Sequence, residues 1–239
     1  STWRKGTITS LYKRDDPTDC DNYRPITLLR SMDKLWGRLL VRRLQHFVPL
    51  HDQQYGFRTA RGTDNALFNL TSVLRTRIPA GLPTYACFFD ARKAFDTVPR
   101  EAMLGRLIAK GVTGKMFKAI DQMYQHAANV ARVDGEMSER FPVERGVAQG
   151  CPMSPFLYAV FIDSVLEDLD ARCAADGVPV GSPEWARMLV GQLYADDLTT
   201  LATSAAGKQR VLDVVRAHSQ RWGWDLATAK TVPVIFGDA

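Results

Sequence analysis

Apolar side chains recur every three or four positions along several stretches of the chain, which is the spacing of a helix with one buried face. The longest stretch covers residues 27–48, where basic residues fill the positions between the apolar ones. It predicts an amphipathic helix with a basic face that ends near Pro49. Further helices are predicted over residues 65–74, over residues 99–125 with a break at 110–114, from Ser154 to Leu169, and over residues 207–222.

Shorter stretches have the composition of β-strands, in which β-branched and aromatic residues are enriched. Residues 84–89 are apolar and aromatic, and they predict a buried strand that ends at Asp90. Residues 1–25 are polar and turn-rich, with a loop predicted over residues 13–17, and residues 176–185 are also predicted to be a loop. Because helices and strands mix without regular strand–helix–strand alternation, the pattern favours the α+β class. Other strands are predicted over residues 129–133, 139–143, 188–194, 198–202 and 231–236.

The composition is that of an ordinary globular protein, with 46% hydrophobic and 24% charged residues, and it excludes a disordered chain. A length of 239 residues fits one large domain or two small ones. The 31 basic and 26 acidic residues give a net charge of +5, which permits a polyanionic partner without requiring one. No apolar run is long enough for a membrane span and the first residues lack a secretory signal, so no membrane partner is expected.

Cysteine and histidine give no sign of a metal site in the sequence. The four cysteines are far apart, so neither a zinc finger nor a disulfide framework is expected, and a reducing compartment fits best. The four histidines lack metal-ligand spacing, and each is predicted to be a surface residue or a satisfied core residue. Any chemistry of this chain is therefore expected to depend on carboxylates.

Carboxylates stand at the ends of predicted strands. Asp90 follows the strand at 84–89, and Asp196 and Asp197 lie in a tight turn between two later strands. If the sheet brings these ends together, the negative charges repel one another, and a hard cation such as Mg²⁺ would offset the repulsion. Such a site suits phosphoryl or nucleotidyl transfer. Aspartate is also common in hairpin turns and at helix starts, which is the simpler explanation for Asp96 and an open alternative for the others.

Several stretches resemble, in order and in spacing, the sequence motifs of reverse transcriptases. Residues 88–98 (Phe-Phe-Asp-Ala-Arg-Lys-Ala-Phe-Asp-Thr-Val) resemble motif A, residues 145–155 (Arg-Gly-Val-Ala-Gln-Gly-Cys-Pro-Met-Ser-Pro) motif B, residues 194–197 (Tyr-Ala-Asp-Asp) motif C, and residues 226–231 motif D. Residues 22–29 (Asn-Tyr-Arg-Pro-Ile-Thr-Leu-Leu) and 54–58 (Gln-Tyr-Gly-Phe-Arg) resemble fingers motifs of non-LTR (LINE-type) retrotransposon enzymes and, more distantly, of group II intron enzymes. The Asn-Tyr-Arg-Pro form points to the non-LTR branch, and the resemblance runs from Lys5 to Phe236.

The resemblance implies an RNA-directed DNA polymerase that transfers nucleotides from dNTPs to a primer 3′-OH with two Mg²⁺ ions, or with Mn²⁺. By similarity, Asp90 and Asp196 would be the main metal ligands and Asp197 a secondary one. The backbone carbonyl of Ala91 could add a ligand. One metal ion would lower the pKa of the primer hydroxyl, and the other would neutralise the leaving pyrophosphate.

Nucleotide-binding roles also come from the resemblance. Phe95 occupies the position of the family's sugar gate, where a bulky ring would exclude a ribose 2′-OH, although its pattern alone is that of a core aromatic residue. Gln149 would contact the nucleotide or the template, and Gly150 would let the backbone approach the nascent base pair. A glycine-rich loop stabilised by a glutamine amide is the alternative for these two residues.

Basic residues are the remaining candidates for nucleic-acid and nucleotide contacts. Arg58 or Arg61 would bind the triphosphate through its guanidinium group, and Lys230 would give a proton to the leaving pyrophosphate. Solvated surface residues are the alternative in each case. The template is expected to contact the basic face of residues 28–48 through its phosphates. Further candidates for phosphate contacts are Lys5, Lys13, Arg14 and Arg24.

The implied architecture is a right-hand polymerase in which an antiparallel sheet packs on helices. Fingers are expected over residues 1–82 and 113–148 and the palm over residues 83–112 and 149–239, with the thumb absent. Expected partners are an RNA template, a DNA primer and dNTPs, together with the missing thumb and endonuclease regions of a larger polyprotein. Elements of this branch prime on chromosomal DNA, which implies a nuclear location, and otherwise a cytoplasmic one.

Other functions stay open at this point. A catalytically weak or inactive relative would use the same fold as an RNA-binding or assembly module. An RNA-dependent RNA polymerase would share the palm, and Phe95 is the residue that separates it from the first hypothesis. An α+β domain of unrelated function is the last alternative.

Overall fold

The computed structural model describes residues 5–125, 127–181, 184 and 186–237. The chain divides into two compact units: unit 1 comprises Ser1–Pro49 and Phe95–Tyr158, and unit 2 comprises Leu50–Ala94 and Ala159–Ala239. Each unit contains both helices and β-sheet, so the predicted α+β class is confirmed. The unit boundaries differ from the boundaries expected for fingers and palm, which stay a prediction.

Helices and strands follow the predicted order, with shifted ends and some additions. Within the described residues, the strands are β1 (Lys5–Tyr12), β2 (Tyr23–Leu28), β3 (Thr84–Phe89), β4 (Ala128–Val133), β5 (Glu136–Met137), β6 (Phe141–Pro142), β7 (Val178–Val180), β8 (Arg187–Leu189), β9 (Gly191–Tyr194), β10 (Asp197–Ala202) and β11 (Val232–Phe236). The helices there are α1 (Ser31–Phe47), α2 (Thr63–Arg77), α3 (Ala94–Thr97), α4 (Arg100–Ala109), α5 (Gly114–Tyr124), α6 (Ser154–Ile162), α7 (Ser164–Cys173) and α8 (Ala205–Trp222).

The sheet of unit 1 contains two strands that the sequence pattern did not predict, and they flank the predicted loop at residues 13–17, which is confirmed. Strands β1 and β2 form an antiparallel hairpin in which Thr7 lies opposite Leu28, and β1 also pairs in parallel with β4. The β-branched residues Thr7, Ile8 and Thr9 favour this extended backbone. Their pattern is too short to indicate a strand on its own, and the strand forms because β2 and β4 pair with it.

Helix α1 begins later than predicted and buries a different stripe. It starts at Ser31, because Thr27 and Leu28 belong to β2. Four residues at helical spacing are buried, namely Asp33, Gly37, Leu40 and Leu44, whereas the apolar residues Met32, Leu35, Trp36 and Leu39 are exposed. The buried stripe faces the loop that contains Cys151, since a Cβ at Gly37 would lie 3.7 Å from Cys151 Sγ, an ordinary van der Waals contact. Packing against this loop determines which stripe is buried.

The sheet of unit 2 is antiparallel throughout and has the strand order β11-β3-β10-β9. Helices α7 and α8 pack against its strands, in agreement with the predicted antiparallel sheet on helices. A cluster of buried apolar residues joins the sheet to α2 and to the β7–β8 pair: Val73, Ala86, Val178, Leu189 and Leu201. This core holds the strand ends on which the predicted carboxylates lie.

Two predicted boundaries in unit 2 are wrong. The predicted loop 176–185 contains β7, which pairs with β8 as an edge ribbon and tolerates Pro179 there. The single helix predicted from Ser154 to Leu169 is two helices separated at Asp163. The Asp163 carboxylate is fully buried and accepts the His51 N–H at 2.9 Å. It therefore holds the chain that precedes α2 against the break between the two helices.

Candidate active site

Two neighbouring strands of unit 2 carry acidic residues at the same end of its sheet. Strands β3 and β10 are antiparallel, and the last residue of β3, Phe89, lies opposite Leu198 of β10. The next position on each strand, beyond this pair, carries Asp90 and Asp197. Strands β9 and β10 are joined by a tight turn that contains Asp196. The strand register therefore brings together the three aspartates that the sequence singled out.

The electrostatics of Asp197 reflect this proximity. Partial burial raises the pKa of its carboxyl group above the ordinary value of 3.8, and the neighbouring charges of Asp196 and Asp90 raise it further. Lys230 acts in the opposite direction and lowers the pKa of Asp197. The net shift is upward, so this cluster carries more negative charge than its own residues neutralise.

Lys230 is held beside the carboxylates by a backbone pairing. The chain after β3 pairs with residues 225–227: Arg92 N–H donates to the Asp225 carbonyl at 2.9 Å, and Ala227 N–H donates to the Asp90 carbonyl at 2.8 Å. These two bonds lie on either side of Ala91, which faces Leu226. The turn that follows brings Lys230 Nζ to 2.8 Å from Asp90 Oδ2.

A cavity of about 350 Å³ opens at the same end of the sheet. Asp90, Asp197 and Lys230 form its charged end, and Leu67 and Leu70 of α2 contribute to its apolar wall. Two carboxylates against one ammonium leave this cavity with a net negative charge, which favours a cation, and its apolar wall suits an organic group.

Phe95 lies in unit 1, where it has a packing partner. Its ring stacks on Tyr158 with centroids 5.1 Å apart and planes 13° from parallel. The backbone carbonyl of Phe95 accepts the Val147 N–H at 2.7 Å, and this bond attaches Phe95 to the glycine-rich loop at residues 146–153. The ring is half-buried, so the packing role expected from its pattern is observed and a role toward a sugar stays a prediction.

Gln149 and Gly150 hold the same loop against the hairpin of unit 1. Gln149 Nε2 donates to Asp96 Oδ1 at 2.9 Å, and its carbonyl accepts the Thr27 N–H at 2.7 Å. Gly150 has a φ of +121°, and a Cβ there would lie 2.5 Å from the Thr27 carbonyl oxygen, so glycine is required. Asp96 and Gln149 line a cavity of about 540 Å³ within unit 1, together with Trp36.

The two candidate arginines contact their own loop in unit 2. Arg58 Nη1 donates to the carbonyls of His51 and Gln54, at 2.7 and 3.2 Å. Arg61 donates to the Asp52 carbonyl, and its Nη2 lies 3.3 Å from Asp52 Oδ1. Burial lowers the pKa of Arg58, and the charge of Arg61 lowers it further. Both guanidinium groups therefore hold the loop, and a contact with a triphosphate stays a prediction.

Comparison with known families covers almost the whole sequence. A family model described as "Reverse transcriptase (RNA-dependent DNA polymerase)" matches residues 11–235. The chain belongs to the reverse transcriptase family. The predicted resemblance to reverse transcriptases of non-LTR retrotransposons is thereby confirmed.

Curated relatives come from transposable elements. The chain is 27% identical over 245 residues to the probable RNA-directed DNA polymerase from transposon BS of Drosophila melanogaster, covering 98% of the chain and 26% of that protein. It is 27% identical over 234 residues to the Pol polyprotein from the type-1 retrotransposable element R2 of Popillia japonica, covering 97% and 32%. The chain thus spans about a quarter to a third of the length of these relatives.

Solved telomerase structures share the fold of this reverse transcriptase. The structure from Candida tropicalis in complex with a TWJ fragment of telomeric RNA matches with a TM-score of 0.70 at 12% identity, over 98% of this chain and 41% of that one. The Candida albicans telomerase complex matches with a TM-score of 0.67 at 11% identity, over 97% and 43%. At such identities the likeness concerns the fold alone, and it confirms the predicted polymerase architecture of fingers and palm.

Reverse transcriptases generally use divalent metal ions. Within the described ranges, no group of three or more Asp, Glu, His or Cys side chains is already arranged as a set of metal ligands. The aspartates at the strand ends nevertheless fit a divalent cation chemically. Carboxylate oxygens are the donors that Mg²⁺ prefers, and a cation would offset the repulsion that raises the pKa of Asp197.

Asp197→Asn is expected to stabilise the reverse transcriptase at pH 7 in the absence of metal. Because the folded chain raises the pKa of Asp197, the ionised carboxylate opposes folding at pH values above its unfolded pKa, and the opposition disappears as the pH falls through the folded pKa. The gain should be at most about 1 kcal/mol, since the group is partly exposed and screened.

Thermal denaturation at pH 7 and near pH 4 measures this effect. We expect a higher Tm for Asp197→Asn at pH 7 and a smaller difference at the lower pH. The exposed turn residue Asp134 offers a control, because Asp134→Asn should leave the pH dependence of the Tm unchanged. A lower Tm for Asp197→Asn at pH 7 would contradict the proposed repulsion.

Histidine takes no part in the candidate site among the described residues. His218 is buried and satisfied: Trp224 Nε1–H donates to its Nδ1 at 3.0 Å, so its Nε2 carries the proton and donates to Ser164 Oγ at 2.9 Å. His46 is exposed and His126 lies outside the described residues. The prediction of a satisfied core histidine or a surface histidine is confirmed for His218 and His46.

Basic residues predicted to contact the template are exposed where the structure describes them. In α1 these are Arg38, Arg42 and Arg43, and in the β1–β2 hairpin they are Lys13, Arg14 and Arg24. The side chain of Lys5 lies outside the described part of the chain. No helix among the described residues has both the length and the apolarity that a membrane crossing requires.

Sequence reasoning did not single out two residues that the structure connects to the site. Gly56 stood inside a quoted motif without a role of its own, and Asp163 stood inside a predicted helix. A carboxylate among apolar residues of a helix is costly to bury unless it is hydrogen-bonded, and this signal could have marked Asp163. Nothing in the sequence marks which backbone Gly56 approaches.

Proposed function

We propose that this chain carries the polymerase site of an RNA-directed DNA polymerase, which adds nucleotides from dNTPs to a primer 3′-OH on an RNA template. The observation that carries the proposal is the meeting of Asp90, Asp196 and Asp197 at one end of the sheet, where burial and then the charges of Asp196 and Asp90 raise the pKa of Asp197. Membership in the reverse transcriptase family supports the same activity.

Asp90, Asp196 and Asp197 would hold two Mg²⁺ ions (or Mn²⁺), with the carbonyl of Ala91 as a further ligand. The chemistry supplied there is activation of the primer 3′-OH and neutralisation of the charge that develops on the phosphates. Lys230 already pairs with Asp90 and would exchange this contact for the leaving pyrophosphate, to which its ammonium group can give a proton.

Residues of the loops would select and orient the nucleotide. The ring of Phe95 is held by stacking on Tyr158, and a fixed ring at this position would exclude a ribose 2′-OH. Gln149 and Gly150 would face the nascent base pair, and Arg58 or Arg61 would contact the triphosphate. Exposed arginines of α1 and the hairpin would bind template phosphates electrostatically, so binding should weaken as salt rises.

Primer extension on an RNA template with a DNA primer, dNTPs and Mg²⁺ tests the proposal. Incorporation that requires the RNA template and the divalent cation supports it. A preference of the wild-type chain for rNTPs would instead support the RNA-dependent RNA polymerase. The expected location in the nucleus is part of the proposal, and imaging of a fluorescently tagged chain in host cells tests it.

The contact between Lys230 and Asp90 favours a second candidate, a non-catalytic module that binds RNA. A lysine ammonium at 2.8 Å already neutralises one of the carboxylates, so the cluster can persist without a metal ion. RNA binding by the purified chain with no incorporation under any metal condition would favour this candidate over the polymerase.

A further inference from the structure

A short segment of unit 2 extends the antiparallel sheet beyond its edge strand. β9 is the last strand in the order β11-β3-β10-β9, and residues 53–55 lie along its open side. Tyr55 N–H donates to the Leu193 carbonyl at 2.8 Å, and Leu193 N–H donates to the Gln53 carbonyl at 2.9 Å. The pairing of Gln54 with Leu193 is parallel, so the segment acts as a one-residue parallel strand on β9.

The segment is buried, and two of its side chains accept hydrogen bonds from within it. The exposed fractions of Gln53, Gln54 and Tyr55 are 5%, 0% and 5%. Tyr55 OH donates to Gln53 Oε1 at 2.8 Å, and Gly56 N–H donates to Gln54 Oε1 at 2.9 Å. Gln54 Nε2 is buried without a partner. The bonds that are formed hold the backbone in place, because breaking them would leave further buried polar groups unpaired.

Charged side chains hold the residues on both sides of the segment in place. The buried carboxylate of Asp163 accepts the His51 N–H at 2.9 and 3.1 Å. On the other side, Arg58 Nη1 donates to the carbonyls of His51 and Gln54 and closes the loop on itself. The segment therefore arrives at β9 as a rigid unit.

Gly56 ends the segment directly against the acidic turn. A Cβ at Gly56 would lie 2.2 Å from the Ala195 nitrogen and 2.8 Å from its Cα, which are distances that real Cβ atoms do not reach. The φ of Gly56 is not in the left-handed region, so the position needs glycine for space and not for its backbone angle. The backbone that it touches immediately precedes Asp196.

Ala195 is the residue of the turn whose backbone is strained. Its φ is +57°, the left-handed conformation that a residue with a side chain adopts at a cost. The same residue is the one that Gly56 contacts, and Leu193, two residues earlier in the chain, forms the two hydrogen bonds to the segment. The segment thus contacts the turn at the point where its backbone is strained.

We infer that residues 53–56 are a positioning element for the acidic turn, with Gly56 as its essential positioning residue. By seating against the backbone of Ala195, Gly56 keeps the turn in its left-handed form and so sets the direction of the Asp196 and Asp197 carboxylates. The structural part of this inference stands on the contacts alone, and its catalytic consequence rests on the proposed polymerase function.

A matched pair of glycine variants tests the inference. Gly56→Ser forces a Cβ into the Ala195 backbone, whereas Gly62→Ser, in the same loop, places its Cβ where no atom lies within 4 Å and leaves a favoured residue at the start of α2. Amide hydrogen exchange of Leu193 reports the seating, since its N–H donates to Gln53. We expect this exchange to accelerate about tenfold or more in Gly56→Ser and to stay at the wild-type rate in Gly62→Ser.

Primer extension supplies the second readout. A turn displaced by about 1 Å should lower kcat by roughly a hundredfold in Gly56→Ser. The Kd for RNA should stay unchanged, because the basic residues proposed to bind the template lie on α1 and the β1–β2 hairpin, and the Mg²⁺ concentration for half-maximal rate should rise. Gly62→Ser should retain wild-type kinetics.

Each outcome tests a different part of the inference. Unchanged Leu193 exchange in folded Gly56→Ser overturns the seating, and accelerated exchange with an unchanged kcat overturns the positioning role. If wild-type chain extends no primer while Gly56→Ser still accelerates the exchange, the proposed function fails and the seating stands. Should Gly56→Ser not fold, Tyr55→Phe removes only the hydroxyl that donates to Gln53 and accepts from Asn69, and it should accelerate Leu193 exchange in the same direction by a smaller factor.

Discussion

Asp196→Asn is expected to lower the rate of primer extension by about a thousandfold, because a site that stabilises charge through a metal ion supplies several kcal/mol and each 1.36 kcal/mol is worth a factor of ten. The substitution keeps the size of the side chain and removes one of the carboxylates that meet at the end of β3 and the β9–β10 turn. Single-turnover extension with saturating dNTP measures the chemical step without the contribution of binding.

The control for this variant is Asp134→Asn, which removes a carboxylate from an exposed turn of unit 1. It should retain the wild-type rate, and both variants should bind RNA with the wild-type Kd. Extension by Asp196→Asn at more than a tenth of the wild-type rate would falsify the role given to the carboxylate cluster.

Phe95→Ala is expected to reduce the discrimination between dNTPs and rNTPs by roughly 10- to 200-fold, the range over which a pocket distinguishes ligands by size. The ring is fixed against Tyr158, so truncation opens space that the surrounding side chains cannot refill. The ratio of kcat/KM for a dNTP and for the matching rNTP, measured on one template, gives the discrimination directly.

Phe95→Tyr distinguishes a role of Phe95 in sugar selection from a role in packing. This variant keeps a ring of the same bulk at the same position, so it should retain the discrimination while Phe95→Ala loses it. Loss of the Tyr158 stacking alone would lower the Tm of Phe95→Ala without moving the ratio. An unchanged ratio in Phe95→Ala therefore removes Phe95 from sugar selection and leaves it as a packing residue.

Much of the candidate site could be predicted because it lies on strands with a strong local pattern. Residues 84–89 form β3 as predicted, residues 198–202 lie in β10, and the single strand predicted at 188–194 is divided between β8 and β9. The tight turn makes β9 and β10 antiparallel, whereas the pairing of β10 with β3, which brings Asp90 beside Asp197, is a tertiary contact. Apolar strands and turn residues are local signals, so a single sequence is sufficient to detect them.

Other parts depended on partners that are distant in the sequence. Strand β1 exists because β2 and β4 pair with it, and its own residues predicted no strand. Helix α1 has two apolar stripes, and the buried one, which includes Gly37, is the stripe that faces the loop around Cys151. Local propensity is weak in both cases, and tertiary contacts determine the outcome.

The sequence by itself determined the family of this chain, its class of fold and the carboxylates on which its proposed chemistry depends, because motif residues and apolar periodicity are written along the chain. Only the tertiary structure decided that Lys230 pairs with Asp90, that Arg58 holds its own loop and that Gly56 touches Ala195. Each of these contacts joins residues whose spacing in the sequence carries no information about their distance in space, and packing against the rest of the fold is what sets it.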